Sequence, residues 1–400
     1  MRNIPFSPPD ITELEITEVV EALKSGWITT GKRTKLFEKN IAEYINTSNV
    51  VTFSSCTSAM ELALRILGVE PDDEIITSAY TYTATASVAH HLGAKIVLVD
   101  TLKDSFLIDA KAIENAITPK TKVIMPIDIA GKMCDYDAIF KAVESKKDLF
   151  IVNENNKYQK IFNRPIVLAD SAHAFGATQN NLYSGQVADF TAFSFHAVKN
   201  LTTGEGGAIT WKNNKSIDNE ELARLFTVMS LHGQTKDALA KTKPGAWEYD
   251  IIYPAYKCNM TDLQAGIGLK QLERYPQLLQ KRKAIVKKYD EAFLPLGLKS
   301  LNHFSDDFTT SSYHLYMLKI PYYTIKQRND FINRLAKKGV SANVHYKPLP
   351  LLTAYKNLGF KIEDYPNAYN HYATEVTLPL HTLLSDEDVD YIIKTVKEEL

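Results

Sequence analysis

Four side chains in this sequence carry groups whose chemistry depends on where the chain holds them. Lys199 lies in "FSFHAVKNLTTGEGG", between the strand-like run "ADFTAFSFH" and a second strand-like run, "GGAITW". A lysine in a turn between buried strands does not reach water freely, and burial lowers an amine's pKa and makes it a nucleophile. The ordinary alternative is a solvated loop lysine. Asp170 closes the apolar run "IVLAD", just before "SAHAFGA". Ligands of parallel sheets bind at the carboxyl ends of strands. A carboxylate there is costly unless it meets a cation or a strong donor, or it caps the turn that follows. Thr57 and Ser58 stand at the front of a strong helix in "SSCTSAMELALRILG". Their hydroxyls and the free N–H groups of the first turn suit a phosphate, or serve as a plain helix cap.

Taken together, the three features fit one kind of ligand. A phosphate tail rests on a helix start, a ring nitrogen faces a carboxylate, and an aldehyde carbon is captured by a lysine. That describes pyridoxal phosphate, an electron sink whose ring nitrogen must stay protonated. Two other motifs fail their context tests. "GWITTGKR" fits the spacing of a P-loop but has Arg33 where Ser or Thr should bind magnesium, and it follows a helix instead of a strand. "GEGG" at Gly204–Gly207 lacks dinucleotide-binding spacing and leads into a strand. Its glycines suit positive φ and close approach of backbone to a ligand. The ten histidines do not cluster at metal-ligand spacing, and His90 and His91 diverge on a helix, so no metal is expected.

These groups must be positioned by a scaffold, and the pattern of elements names its class. Apolar strand-like runs ("NVVTFSS", "DEIITSA", "KIVLVD", "TKVIMPIDI", "RPIVLAD") alternate with amphipathic helical segments. That alternation predicts an α/β fold with a largely parallel sheet covered on both faces. From about Tyr256 a long helical region follows, then strand-like "YHLYMLKI" and "VSANVHY" around the helix "KQRNDFINRLAKKG", and a last helix at "SDEDVDYIIKTVKEEL". A length of 400 residues suits two domains. They are expected at 1–255, a large cofactor-binding domain, and 256–400, a smaller α+β domain. The polar insert "NENNKYQKIFNRP" reads as a surface excursion. A net charge of −1 gives no electrostatic case for nucleic acid or an acidic membrane. No apolar run is long enough to span a bilayer, and the start "MRNIPFSPPD" is too polar for a signal peptide. Three scattered cysteines read as reduced thiols of a cytoplasmic protein.

The strings "SFHAVKNLTTGEGG", "LADSAHAFGA", "SSCTSAMELAL", "SGWITTG" and "AYKCNMTDLQAGIGLKQL", with "VHYKPLP" and "VTLPLHTLLSDEDV", together resemble the DegT/DnrJ/StrS family of sugar-nucleotide aminotransferases from about residue 5 to the C-terminus. The resemblance implies the fold-type I aminotransferase architecture and a homodimer with active sites at the subunit interface. It implies pyridoxal 5'-phosphate bound covalently by Lys199, with Asp170 on the ring nitrogen. Thr57, Ser58 and Ser194 would hold the phosphate, Tyr82 would stack on the ring, and His173 would sit near the ring hydroxyl. Asn259 would reach the phosphate in the neighbouring subunit. His196, Lys257, His314 and His345 are weaker substrate-side candidates that could equally be packed or solvated. "SGWITTG", "FSFHAVKN" and "YKCNMTD" are most similar to members that aminate the 4-keto carbon of a nucleotide-linked sugar, such as the one forming 4-amino-4-deoxy-arabinose on UDP. Glutamate is the implied donor and 2-oxoglutarate its product. A 3-keto-sugar aminotransferase shares every cofactor residue, and a non-catalytic cofactor-binding regulator is a reading from another class. Ala169 stands where the family usually has an acidic residue. Members with histidine in place of the lysine act as dehydratases, and this chain keeps Lys199.

Overall fold

The structure, a computed structural model, describes residues 2–236, 247–304 and 309–400. Its main sheet has seven strands: β1 (Val50–Phe53), β2 (Glu74–Ser78), β3 (Lys95–Val99), β4 (Thr121–Met125), β5 (Ile166–Asp170), β8 (Phe190–Ser194) and β9 (Gly207–Trp211). A short hairpin, β6 (Thr178–Gln179) and β7 (Leu182–Tyr183), stands apart. The strand order is β1-β9-β8-β5-β4-β2-β3. Neighbours from β3 to β8 are parallel, and β9 alone runs against both of its neighbours. Every residue of β2, β4 and β5 is buried. Successive side chains point to opposite faces, so both faces are covered, which is why these strands read as unbroken apolar runs.

Register decides what the sheet presents at its edge. Gly207 pairs with Phe53 on one side and with Ser194 on the other. The end of β1, the start of β9 and the end of β8 therefore lie in a row. Asp170 ends β5 beside Ala192, on the same edge. The helix Cys56–Ile66 departs from that edge after β1, and the turn holding Lys199 departs from it after β8.

A three-stranded antiparallel sheet, β10 (Lys299–Ser300), β11 (Tyr316–Lys319) and β12 (Glu375–Leu378), carries a second core with the helices Ile325–Lys337 and Asp386–Glu399. The helix Asp262–Phe293, 32 residues long and opened by a Thr261–Gln264 capping box, joins the two regions. Its first half packs with Phe37, Phe193 and Phe195, and its second half, from Ile285 to Phe293, lies in the second core. The chain start belongs to the second core as well: Ile4 is buried there and its N–H donates to Gly339 O at 2.7 Å.

Two segments differ from the sequence expectation. "VSANVHY" is no strand. The Val344 N–H is taken by Asn343 Oδ1 at 2.8 Å and the His345 N–H by Glu375 Oε2 at 3.0 Å. Side-chain acceptors thus occupy amides that a ladder would need, and only single bridges remain, Val340 to Ile4 and Asn343 to Thr377. The polar insert is docked instead of forming a loose excursion. It forms the helix Lys157–Phe162, capped by Asn156. Asn156 Nδ2 donates to Ile66 O, and Gln159 Nε2 to Leu67 O and Gly68 O, at 2.8–3.1 Å. These carbonyls end the helix Cys56–Ile66 and lack intrahelical donors. Arg164 then forks onto Asp189, which also accepts the Val167 N–H.

Gln159 is fully buried, so Gln159→Ala should lower stability by about 1–3 kcal/mol by orphaning those carbonyls. The urea unfolding midpoint of the variant checks this, and an unchanged midpoint counts against the docking role.

Candidate active site

The described residues form a cleft of about 370 Å³ at the carboxyl ends of β5 and β8. Asp170 lies at its base, 5% exposed. Its Oδ2 accepts from Thr85 Oγ1 at 2.6 Å and its Oδ1 from the Ala172 N–H at 3.2 Å. Burial raises its pKa, while Thr85, the Ala172 N–H and the Lys199 charge pull it back. Thr85 is delivered by the helix Thr83–His91, whose N-cap is Tyr82. The Tyr82 ring is 61% exposed, lines the cleft and lies 6.0 Å from the ring of Tyr346.

Lys199 lines the same cleft from its turn, where its N–H bonds His196 O at 2.8 Å. Burial lowers its amine to about 8, against the pull of Asp170 and Cys56. A fraction of the amine is therefore unprotonated near neutral pH, unlike an ordinary lysine.

The third wall is the start of the helix Cys56–Ile66. Ser55 is its N-cap and accepts the Ser58 N–H at 3.1 Å. Ser55 and Thr57 line the cleft. Ser58 does not: its hydroxyl lies 2.8 Å from Ser55 Oγ. The helix start sits hard against β9, because a Cβ on Gly207 would come within 2.3 Å of Cys56 N. Only glycine permits that approach. Ser194, at the end of β8, completes this wall.

His173 is buried, and its Nδ1 accepts the Ala130 N–H at 3.1 Å. That contact assigns the proton to Nε2, which faces Tyr346 Oη at 3.1 Å. Burial first, then Lys199 and His345, holds the His173 pKa well below normal, so the ring is neutral. Tyr346 Oη accepts from His173 and keeps its own proton to donate.

The weaker candidates separate. His345 and His196 line the cleft, His196 being exposed with its Nε2 3.6 Å from Glu205. His314 is buried behind His173, its ring 4.4 Å away and its Nδ1 2.9 Å from Asn200 Oδ1. It does not reach the cleft. Lys257 donates to Asn259 Oδ1, and Asn259 Nδ2 to Thr30 Oγ1, with Asn259 bridged to Phe53. This pair also lies outside the cleft of its own chain. Thr85, Ser55 and Tyr346 were not picked out from sequence. Tyr346 adjoins His345 in "VHYKPLP", and Thr85 follows Tyr82 at helical spacing in "AYTYTAT". Both signals were present.

The residues fit pyridoxal phosphate. The volume suits a small cofactor, and the helix start offers N–H groups and hydroxyls to an anion. The buried Asp170 carboxylate has neutral donors only within hydrogen-bonding distance, so a cationic ring N–H would match it. Lys199 offers an amine within the same walls.

Comparison with known proteins agrees with this chemistry. A profile of the DegT/DnrJ/EryC1/StrS aminotransferase family matches residues 9–157 and 161–397. Its one interruption falls in the docked insert. The spore coat polysaccharide biosynthesis protein SpsC of Bacillus subtilis is 38% identical, covering 99% of this chain and 96% of its own length. Spr1654 of Streptococcus pneumoniae, assigned as a sugar aminotransferase, superposes in its PMP form with a TM-score of 0.96 at 56% identity, covering 99% of each chain. Its PLP form gives 0.95 at 53% identity over the whole of both chains. Helicobacter pylori PseC, an aminotransferase of pseudoaminic acid biosynthesis, gives 0.86 at 29% identity, covering 100% of this chain and 99% of its own.

Acylation of Lys199 in the cofactor-free protein, followed by peptide mass mapping, should accelerate as pH rises through about 8, where the ammonium gives up its proton. Asp170→Asn should move that midpoint lower, because the carboxylate favours the ammonium form. A midpoint near that of ordinary lysines would contradict the site's electrostatics.

Proposed function

Because this chain belongs to the DegT/DnrJ/EryC1/StrS aminotransferase family, a family of enzymes working with pyridoxal phosphate, we propose that it moves an amino group from glutamate to the 4-keto carbon of a nucleotide-linked 6-deoxy or pentose sugar, for cell-surface polysaccharide or glycan precursors. The observation that carries the reading is the meeting of Lys199, Asp170 and the start of the helix Cys56–Ile66 in one cleft. The polysaccharide role of SpsC and the pseudoaminic acid role of PseC support the substrate class. The strings "SGWITTG" and "YKCNMTD" support attack at C4 over C3.

When bound, the cofactor supplies an electron sink and a carbon that exchanges oxygen for nitrogen. The chain supplies the rest. Asp170, oriented by Thr85 and the Ala172 N–H, would set its negative charge opposite the ring nitrogen. The first-turn N–H groups would hold the phosphate with Thr57 and Ser194, and Ser58 would act on it through Ser55, which its hydroxyl meets at 2.8 Å. Tyr82 would cover one face of the ring, and His173, paired with Tyr346, would attend its hydroxyl. Lys199 Nζ would hold the cofactor's carbon, and as a free amine would take the proton from the donor's α-carbon and later return one to the sugar carbon. Its lowered pKa suits both directions of transfer near neutral pH. His196 and His345 face the sugar. His314 acts only by packing behind His173. The place of Lys257 and Asn259 outside their own cleft supports a homodimer in which Asn259 reaches the partner's phosphate. No helix among the described residues is long and apolar enough to cross a membrane.

The test is product analysis with a panel of UDP-, dTDP- and GDP-linked keto sugars and glutamate. A 4-amino sugar is expected, and a 3-amino product would overturn the positional assignment. The purified enzyme should lose its near-ultraviolet or violet band on adding glutamate. Lys199→Ala should cost about 100-fold or more in turnover.

A further inference from the structure

Glu375 opens β12 in the second sheet and is fully buried. Its two oxygens have different partners. Oε2 accepts the His345 N–H at 3.0 Å, and Oε1 accepts the Thr377 hydroxyl. Thr377 Oγ1 in turn lies 2.9 Å from His345 Nδ1. Three side chains thus form one hydrogen-bonded line from the second core to the cleft wall, since His345 lines the cleft. With Nδ1 turned back onto Thr377, Nε2 is the ring nitrogen left for the cleft.

The line has two self-consistent proton arrangements. With Glu375 ionised, Thr377 spends its only proton on Oε1 and can only accept from His345. His345 then carries its proton on Nδ1 and presents a bare Nε2. With Glu375 neutral, Oε2 is already occupied by the backbone N–H, so the carboxyl proton sits on Oε1 and points at Thr377. Thr377 then donates to Nδ1, and the imidazole proton moves to Nε2.

We propose that Glu375 is a positioning residue of the substrate cleft: acting through Thr377, it sets which ring nitrogen of His345 carries the proton, and so whether this wall offers the substrate a hydrogen-bond acceptor or a donor. The donor form suits a phosphate or carbonyl oxygen, and the acceptor form suits a sugar hydroxyl or an ammonium group. The proposal rests on the aminotransferase reading only for what occupies the cleft.

The surroundings let the switch operate near neutral pH. Burial raises Glu375 to about 8. Burial, with Lys199 across the cleft, lowers His345 to about 4, so its choice is between tautomers and not between charges. The other groups facing the line have partners of their own. Arg328 gives N–H groups to the carbonyl oxygens of Tyr372 and Glu375 and to Asn329 Oδ1. Lys319, opposite Glu375 on β11, bonds His371 Nδ1 at 2.8 Å. Tyr80 donates to His345 O, and burial holds the phenols of Tyr80 and Tyr346 well above their usual range.

The experiment is nitrogen NMR of isotope-labelled histidines in the holoenzyme, with His345→Gln to assign the signals. In the unaltered protein, the protonated and bare nitrogen signals of His345 should exchange positions around pH 8. Glu375→Gln places its amide oxygen on the His345 N–H and its NH₂ on Thr377, so His345 should stay in the Nε2–H form at every pH. Should that variant fail to fold, Thr377→Val should abolish the pH response and Thr377→Ser keep it. A His345 that does not change tautomer, or one that still changes in Glu375→Gln or Thr377→Val, overturns the proposal. A holoenzyme that responds spectrally to glutamate yet shows no tautomer change overturns this inference alone and leaves the aminotransferase reading standing.

Discussion

A buried carboxylate at the end of a central strand is the constraint around which the molecule is built. Asp170 has surrendered most of its hydration, and the hydroxyl of Thr85 and one backbone N–H return only part of it. Such a group is tolerated where a cation completes it. The cleft beside it supplies the place for that cation, and Lys199 supplies a second positive group at a distance. The lowered pKa of the lysine and the raised pKa of the aspartate share one first cause, the low polarity of the cleft.

The sheet order explains why these groups meet although they are remote in sequence. Phe53, Asp170 and Ser194 end strands along one edge and hand the chain to segments that line the cleft, while Gly207 begins β9 on the same edge and receives the chain from the turn that holds Lys199. The segment that holds His345 and Tyr346 adds a further wall, and His345 is tied to the second sheet through Glu375 and Thr377. The cleft therefore has one side carrying Asp170 and Lys199 on the main sheet, and another whose His345 is hydrogen-bonded to Glu375 and Thr377 of the C-terminal region.

Much of this was legible in the sequence, for physical reasons that can be named. Strands buried on both faces read as apolar runs, so β2, β4 and β5 were visible. Asp170 stood out because it closes an apolar strand, and Lys199 because it sits in the turn between two strand-like runs. The contact between Thr85 and Asp170 was not legible, because it is made in space by a helix and a strand whose pairing no local pattern encodes. "VSANVHY" alternates as a strand should, yet side chains of Asn343 and Glu375 take its amides. The insert looked solvated because it is polar, while Asn156 and Gln159 use that polarity to satisfy the exposed end of another helix. Ser58 looked equivalent to Thr57, and only the N-cap geometry of Ser55 tells them apart.

The contact between Gly207 and Cys56 has a wider meaning. Because β1, β9 and β8 are adjacent, the span from the helix Cys56–Ile66 to the lysine-bearing turn is ruled off by two strand spacings, about 10 Å in all. A loop could stretch or drift between relatives, whereas this interval is as fixed as the hydrogen bonds of the sheet. Whatever the outer walls admit, the distance between that helix start and that turn is a dimension of the sheet and not of the loops.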